Sequence, residues 1–462
     1  MRNNNVLIIG TLAICISIVV LSIITSLVYT AFYQIVIIVS LSSLLLVLSI
    51  SDSYKKGHLF DPITIFNIFY LFIFILRPIS IIFGSVISDD NHVFMIYRNL
   101  YGVNYFTINQ HLLALGVGLI GQISTYTGYY FYFKNKKVKE KIKGNSSISR
   151  MSITDKRVNT YFLYFTLILI LVFMFTYGRN DIFGFLTMQN KPDFGTINII
   201  WVQIGTVAVF ISVYLHNKVK SFTLLVIFVM LITMSAIGQR AYAVNLLLGV
   251  IVILYYQNYK KISPQLFLYM SLIFFIVLLF GNLRSSNIGR SVNDVVIRQV
   301  LDEFSMYDML LVTVNHNDSF GGFNYFGYNY LAIFNSFFPR SIWPFWVSQF
   351  DHQHTANIFK GLYGGAVPTS IFGSLYLNFS FIGLVLVSSF FGYFLKKVRS
   401  MFSKKALNTN RIILYAMIIT LIYDIVRVGD FGREIWTYMV YLGVYYIMIL
   451  THKLFNSIRT YE

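Results

Sequence analysis

An all-α, polytopic integral membrane fold is what this sequence predicts, and three observations predict it. Of the 462 residues, 56% are hydrophobic and only 12% charged, where a soluble chain carries about a quarter charged residues. Mean hydropathy is +0.67, and apolar runs of about 18 residues or more, long enough to cross a bilayer as helix, recur along the chain. One long stretch, Gly281 to Gly365, breaks the pattern with arginines, acids and an alternation of glycine and asparagine with aromatic rings. The expected architecture is a single transmembrane domain, 1–462, of about twelve helices, with residues 282–365 forming a large periplasmic or external loop.

The spans fall at roughly 6–29, 31–50, 60–84, 110–133, 160–177 and 197–215, then at about 222–238, 241–256, 266–281, 366–395, 411–428 and 435–452. The first follows only MRNNN and has no small-residue cleavage site behind it. At about 24 residues it exceeds a signal-peptide core and reads as a retained helix. Ser221 to Tyr256 as one helix would be about 54 Å long, too long for a hydrocarbon core of about 30 Å. It therefore divides in two, with the polar GQR at 238–240 as the turn. Twelve spans leave both termini on one side.

Lysine and arginine placement orients the chain. Arg2, Lys55, Lys56, the run KNKKVKEKIK at 134–143, Arg150, Lys156, Arg157, Lys218, Lys220, Lys260, Lys261, Lys453 and Arg459 share one side. With KKVRSMFSKKALNTNR at 396–411, that side holds 24 of the 36 basic residues, so it is expected to be cytoplasmic. The 134–157 run is read as a topology determinant, not as a nucleic-acid site. Every lysine except Lys191 and Lys360 is on that side, whereas positive charge on the other side is nearly all arginine. Topology alone would not distinguish the two residues. Arginine's planar fork suits bidentate recognition of anions.

Cys15 is the sole cysteine, which excludes an intrachain disulfide and a thiolate metal cluster. There is no internal repeat, nucleotide-binding glycine loop or appended soluble domain, and no cofactor is expected. DHQH at 351–354 pairs His352 and His354 beside Asp351, but a metal site needs a further ligand cluster. Within the external loop, Ser291 and Asp294 open a helix in the manner of a capping box. Val292, Val296, Val300, Phe304, Tyr307, Leu311 and Val314 then give it an apolar face. Arg298, Asp302, Glu303 and Asp308 form its polar side, so the helix is expected to lie on the membrane surface or to cap the bundle. Asn315 to Gly322 ends it.

Arginines at span edges carry the chemical signal. Arg240 sits at the turn between spans seven and eight, Arg427 near the outer end of span eleven one turn from Asp424, and Arg433 and Glu434 in GDFGRE. An arginine at such depth costs at least a few kcal/mol unless paired or wetted. Each has a structural reading: snorkelling for Arg240, an Asp424–Arg427 pair in the helix, a solvated turn for Arg433. Their placement on the same side as the loop arginines Arg284 and Arg290 favours a shared anion site. A phosphate or pyrophosphate with its lipid tail in the bilayer fits such a cluster.

These segments are similar to those of the bacterial oligosaccharide repeat-unit polymerases, the O-antigen polymerase (Wzy) family. GQR at 238–240, FFPRSIWP at 337–344, PTSIFGSLYLNFSFIG at 368–383 and RVGDFGRE at 427–434 occur in the order of that family, around one large external loop. Two departures stand out: Ser380 where such chains often have glycine, and Gly365-Ala366-Val367 without the acid often found before the proline.

The resemblance implies a metal-independent glycosyltransferase of the bacterial inner (cytoplasmic) membrane, with both termini cytoplasmic. It would polymerise undecaprenyl-pyrophosphate-linked oligosaccharide repeat units into O-antigen or a similar surface polysaccharide. Its partners would be those lipid-linked oligosaccharides, membrane lipid, a chain-length regulator and other assembly proteins, and no nucleic acid.

In that setting Arg240, Arg284, Arg427 and Arg433, with Arg290 a weaker member, would hold the pyrophosphate leaving group. Arg298 and Arg340 read as structural. The general base would be His352 or His354 ahead of Asp351, because imidazole titrates near working pH, with Glu434 open. The aromatic run Phe320–Tyr330 offers either stacking faces for sugars or an interfacial belt. An O-antigen ligase would share the donor and the large loop, while a lipid-linked oligosaccharide flippase would show paired repeats and broken, charged helices at the midplane.

Overall fold

The computed structural model describes residues 31–55, 60–83, 107–131, 156–178, 197–216, 218–236, 240–257, 306–315, 368–402, 409–429 and 431–461. These are helical almost throughout, with no strand among them. The helices are α1 (Ala31–Lys55), α2 (Pro62–Tyr70), a π-helical turn (Leu71–Leu76), α3 (Arg77–Phe83), α4 (Ile108–Phe131), α5 (Lys156–Gly178), α6 (Ile197–His216), α7 (Ser221–Ala236), α8 (Arg240–Gln257), α9 (Met306–Asn315), α10 (Ser370–Met401), α11 (Thr409–Val428) and α12 (Phe431–Tyr461).

Five of the described helical stretches are long and apolar enough to cross a membrane: Tyr33–Ser53, Pro62–Ile79, Lys156–Thr176, Ser370–Met401 and Glu434–Ile458. Shorter apolar helices run over Trp201–His216, Ser221–Met234 and Ala241–Gln257. Helices α4 and α11 also coincide with expected spans but carry more polar side chains, Gln110, His111 and Gln122 in one and Arg411, Asp424 and Arg427 in the other. The expected runs 6–29 and 266–281 lie outside the described residues. The break in the long apolar run falls where GQR was expected to turn, since α7 ends at Ala236 and α8 opens at Arg240. Large apolar side chains remain exposed along α5, from Tyr161 at 62% to Phe175 at 70%. A lipid environment covers such a face at no cost, whereas water would not.

The chain divides into two compact units. The first comprises Met1–Lys141, Leu301–Met401 and Ile422–Trp436. Its centre is α4, opened by a reciprocal cap in which the Thr107 N–H donates to Gln110 Oε1 at 2.7 Å and the Gln110 N–H to Thr107 Oγ1 at 3.3 Å. Helices α2 and α3 run antiparallel to α4. Tyr129 meets Asp61 at one end, and Phe74 lies over Gly118 further along. Helix α10 is kinked at Ser380 and packs on α4 with both halves, Phe372 over Gly121 before the kink and Ser389 beside Gly128 after it.

Helices α4 and α10 approach until their backbones touch: a Cβ on Gly128 would sit 1.7 Å from the Ser389 carbonyl oxygen, and one on Gly392 1.9 Å from that of Thr125. Lipid offers no hydrophobic drive for helix association, so close contact of this kind and interhelical hydrogen bonds hold a bundle together. Phe66, Tyr70, Phe74 and Phe372 fill the space between α2, the π turn and α10, with Phe66 and Phe372 edge to face at 6.1 Å and Tyr70 stacked on Phe74 at 4.9 Å.

The second unit comprises Ile142–Val300, Phe402–Leu421 and Thr437–Glu462. Helix α6 is flanked by α5, α7 and α8. Trp201 packs on Phe173 at 5.7 Å, and Ser212 Oγ and Thr223 Oγ1 share a hydrogen bond of 2.8 Å. Gln257 donates to the Tyr214 carbonyl at 2.6 Å, and Tyr256 meets Tyr415 edge to face at 5.3 Å.

Candidate functional site

The first unit has a polar cluster at each end. At the end where α2 begins, Asp61 caps the helix by accepting from the Ile63 N–H at 3.2 Å, with Pro62 in the position whose missing N–H costs nothing. The same carboxylate accepts from Tyr129 Oη at 2.8 Å and pairs with Arg399 Nη1 at 2.6 Å. Arg399 also donates to Tyr129 Oη at 2.7 Å, closing a triangle. Asp61 is buried and Arg399 nearly so, which makes this an anchor among α2, α4 and α10.

The opposite end lies about 24 Å away along α2 to α3 at 1.5 Å per residue. Here segments from four parts of the chain meet. Helix α11 stops at Val428 because Gly429 takes a φ of +77° and donates its N–H to the Ile425 carbonyl at 2.9 Å, a left-handed helix end. A Cβ on Gly429 would lie 2.3 Å from the Ser370 carbonyl oxygen and 2.9 Å from Ser374 Cβ. Thus PTSIFGSLYLNFSFIG and RVGDFGRE, separate in sequence, are packed against each other. Phe431 meets Phe391 at 6.3 Å and Tyr423 meets Phe69 at 4.3 Å, fixing the turn to α10 and α2.

Arg427 lies in the last turn of α11, half-buried, and Glu434 in the first turn of α12, buried. Each charge faces the helix end whose dipole it complements. Asp424, one turn before Arg427, is also buried. Arg433 shares the first turn of α12 with Glu434. The turn therefore gathers Arg427, Arg433 and Glu434 within eight residues, beside the first turns of α10.

Helix α9 enters the same end. Every residue from Met306 to Val314 is buried, and Leu310 reaches to within 3.2 Å of where a Cβ on Gly373 would lie. Asp308 is not on a solvent-facing or surface-lying side, as its place in the amphipathic pattern suggested. It is fully buried and receives two bonds from Arg77, Nε to Oδ1 at 3.0 Å and Nη2 to Oδ2 at 2.6 Å, with Arg77 equally buried. Pairing is what lets the carboxylate go inside: taking one partner from such a buried pair typically costs about 3–5 kcal/mol. Next to it, Tyr307 Oη and His111 Nδ1 are 2.9 Å apart.

Arg240 opens α8 in the second unit. Arg284, Arg290, Asp351, His352 and His354 lie outside the described residues, as do Arg298, Arg340 and the segment FFPRSIWP. Of the nine expected site residues, the structure thus groups Arg427, Arg433 and Glu434 on one turn. Among the described residues no three His, Cys, Asp or Glu side chains gather in a way that could hold a metal ion.

Sequence reasoning passed over Arg77 and His111, which sat inside runs read simply as spans. The signal was present. An ionisable side chain within an apolar run normally faces a partner in the bundle interior, and Arg77 is the one arginine in 60–84. What no local pattern supplies is the partner, 231 positions away.

Of Arg427, Arg433 and Glu434, the half-buried Arg427 in the last turn of α11 puts a positive charge at the turn between α11 and α12. No protein-family model, curated protein or solved structure matches the chain.

Proposed function

We propose that this chain is a repeat-unit polymerase of bacterial surface polysaccharide. It is a protein of about twelve spans in the inner membrane, with its termini in the cytoplasm and the 282–365 loop outside. The observation that carries the reading is the contact between Ser370 and Gly429. It packs together two of the segments on which the resemblance to O-antigen polymerases rests, with Arg427, Arg433 and Glu434 on the turn that one of them forms. Ser380 adds to it. Where such chains often have glycine, the backbone has a φ of +60° and a ψ of −164°, a conformation that glycine alone adopts freely.

In the proposed reaction a hydroxyl of the acceptor repeat attacks the anomeric carbon of the growing glycan. The new glycosidic bond forms as the bond from that carbon to the undecaprenyl pyrophosphate oxygen breaks. The pyrophosphate leaves with the electron pair, and the hydroxyl proton passes to a base. Arg240, Arg284, Arg427 and Arg433, with Arg290 in support, stabilise the charge that develops on the leaving group. The base is drawn from His352, His354, Asp351 and Glu434.

A clean deletion in a strain with no second polymerase tests the reading. Surface glycan of a single repeat unit, with the long-chain ladder gone, is the expected result. An unchanged ladder overturns it. Polymer stranded on the lipid carrier points to a ligase, and lipid-linked single units held inside point to a flippase.

A further inference from the structure

We infer that Arg77 and Asp308, together with His111 and Tyr307, form a clasp that docks α9 into the transmembrane bundle, and that the reaction proposed above depends on this docking.

Three contacts hold α9 at both of its ends. Asp308, in the first turn, takes the bidentate bond from Arg77 of α3. Tyr307 meets His111 of α4. At the last residue, Asn315 Nδ2 donates to the Gln110 carbonyl at 3.1 Å. The receiving helices are independent of α9 in sequence, and a π-helical turn, an irregularity common at functional sites, comes immediately before Arg77. A ten-residue helix is too short to persist by itself in water. With all residues from Met306 to Val314 buried, α9 forms because it is docked.

Its place in the loop gives the docking a consequence. α9 divides residues 282–365 into two arms. The arm before it, 282–305, carries Arg284 and Arg290, and the arm after it, 316–365, carries Asp351, His352 and His354. With α9 docked, the chain between a fixed point and either set of residues is shorter than the whole stretch, and a shorter chain costs less entropy to close. Arg77 and Asp308 act through α9 and not on the substrate, so they are positioning residues. The clasp depends on the polymerase reading only for its effect on turnover; the docking itself does not.

The test uses the full chain with Cys15→Ser, adding Val312→Cys, a position buried in α9. Labelling by a membrane-impermeant maleimide is followed in D308N, R77Q and the apolar double variant R77M/D308L, at matched membrane levels. Val312→Cys is expected to be protected in the parent chain, labelled in each single variant, and protected again in the double variant, since well-packed apolar groups replace a buried ion pair readily.

Turnover of purified lipid-linked repeat should follow the labelling. It should fall about a hundredfold in kcat in the single variants, the scale of a misplaced reacting group, and recover in the double variant. Protection of Val312→Cys in both single variants overturns the clasp. A double variant that is protected yet inactive overturns the positioning role and assigns Arg77 or Asp308 to the substrate. Absence of turnover in the parent chain sinks the polymerase reading alone, and the labelling then decides the clasp.

Discussion

The carbonyl oxygen of Ser370 stands 2.3 Å from where a Cβ on Gly429 would lie, so no residue with a side chain can occupy 429 without moving one of the two segments. Gly429 also has a φ of +77°, and these two demands act together. Gly429→Ala should cost about 1–2 kcal/mol for the left-handed backbone alone, with the displaced carbonyl adding to it. Thermal unfolding of the purified protein checks this, and an unchanged melting temperature contradicts it. Polymer length in cells should shorten with it if the contact sets the Arg427–Glu434 turn.

Ser380→Gly should act in the opposite direction. A non-glycine residue at this φ and ψ costs on the order of 1–3 kcal/mol, and glycine's greater freedom in the unfolded chain returns about 0.5–1 kcal/mol of that gain. Ser380 is only partly buried, so little packing is lost. The expected outcome is a protein more stable by about 1 kcal/mol, seen as a raised melting temperature. A fall would mean that the kink in α10 is held by the serine side chain.

Asp61→Asn tests the cluster at the other end of the unit. The change keeps shape and the helix-capping oxygen but removes the charge facing Arg399. Leaving a mostly buried guanidinium without that carboxylate should cost about 3 kcal/mol. Denaturation of the purified variant measures it, and Asp61→Asn combined with Arg399→Gln should lose less than Asp61→Asn alone.

The proposed leaving-group site makes its own demand. Alanine at Arg240, Arg284, Arg427 or Arg433 should lower turnover about a hundredfold each, as for loss of one transition-state donor. Lysine should not restore it, because the charge returns without the planar fork. Turnover of purified lipid-linked repeat with normal membrane levels is the measurement. Near-normal rates in the lysine set reject a bidentate cradle. Normal rates with His352→Ala and His354→Ala together pass the base role to Asp351, to Glu434 or to no residue at all.

Helical class, apolar spans and the break at 238–240 were legible in the sequence because each depends on a property summed over neighbouring residues. A run either is or is not apolar over about 20 positions, and a run too long for the bilayer divides near its polar residues, between Ala236 and Arg240. The positive φ at Ser380 was not legible, because nothing in the run 366–395 marks a break in the helix.

Asp308 shows where that reasoning stops. Its helical periodicity assigned it to the polar side of an amphipathic helix, and periodicity assumes that a carboxylate seeks water. A buried carboxylate becomes tolerable when a guanidinium with matching geometry meets it, and that guanidinium, Arg77, comes from a run 231 residues away. The same holds for Gly429 against Ser370 and for Arg399 against Asp61. Hydropathy is local and additive, so the sequence by itself determined which segments are apolar helices. Desolvation of a charge and the approach of two backbones depend on what arrives from elsewhere, so only the tertiary structure decided which polar residues are buried and with whom.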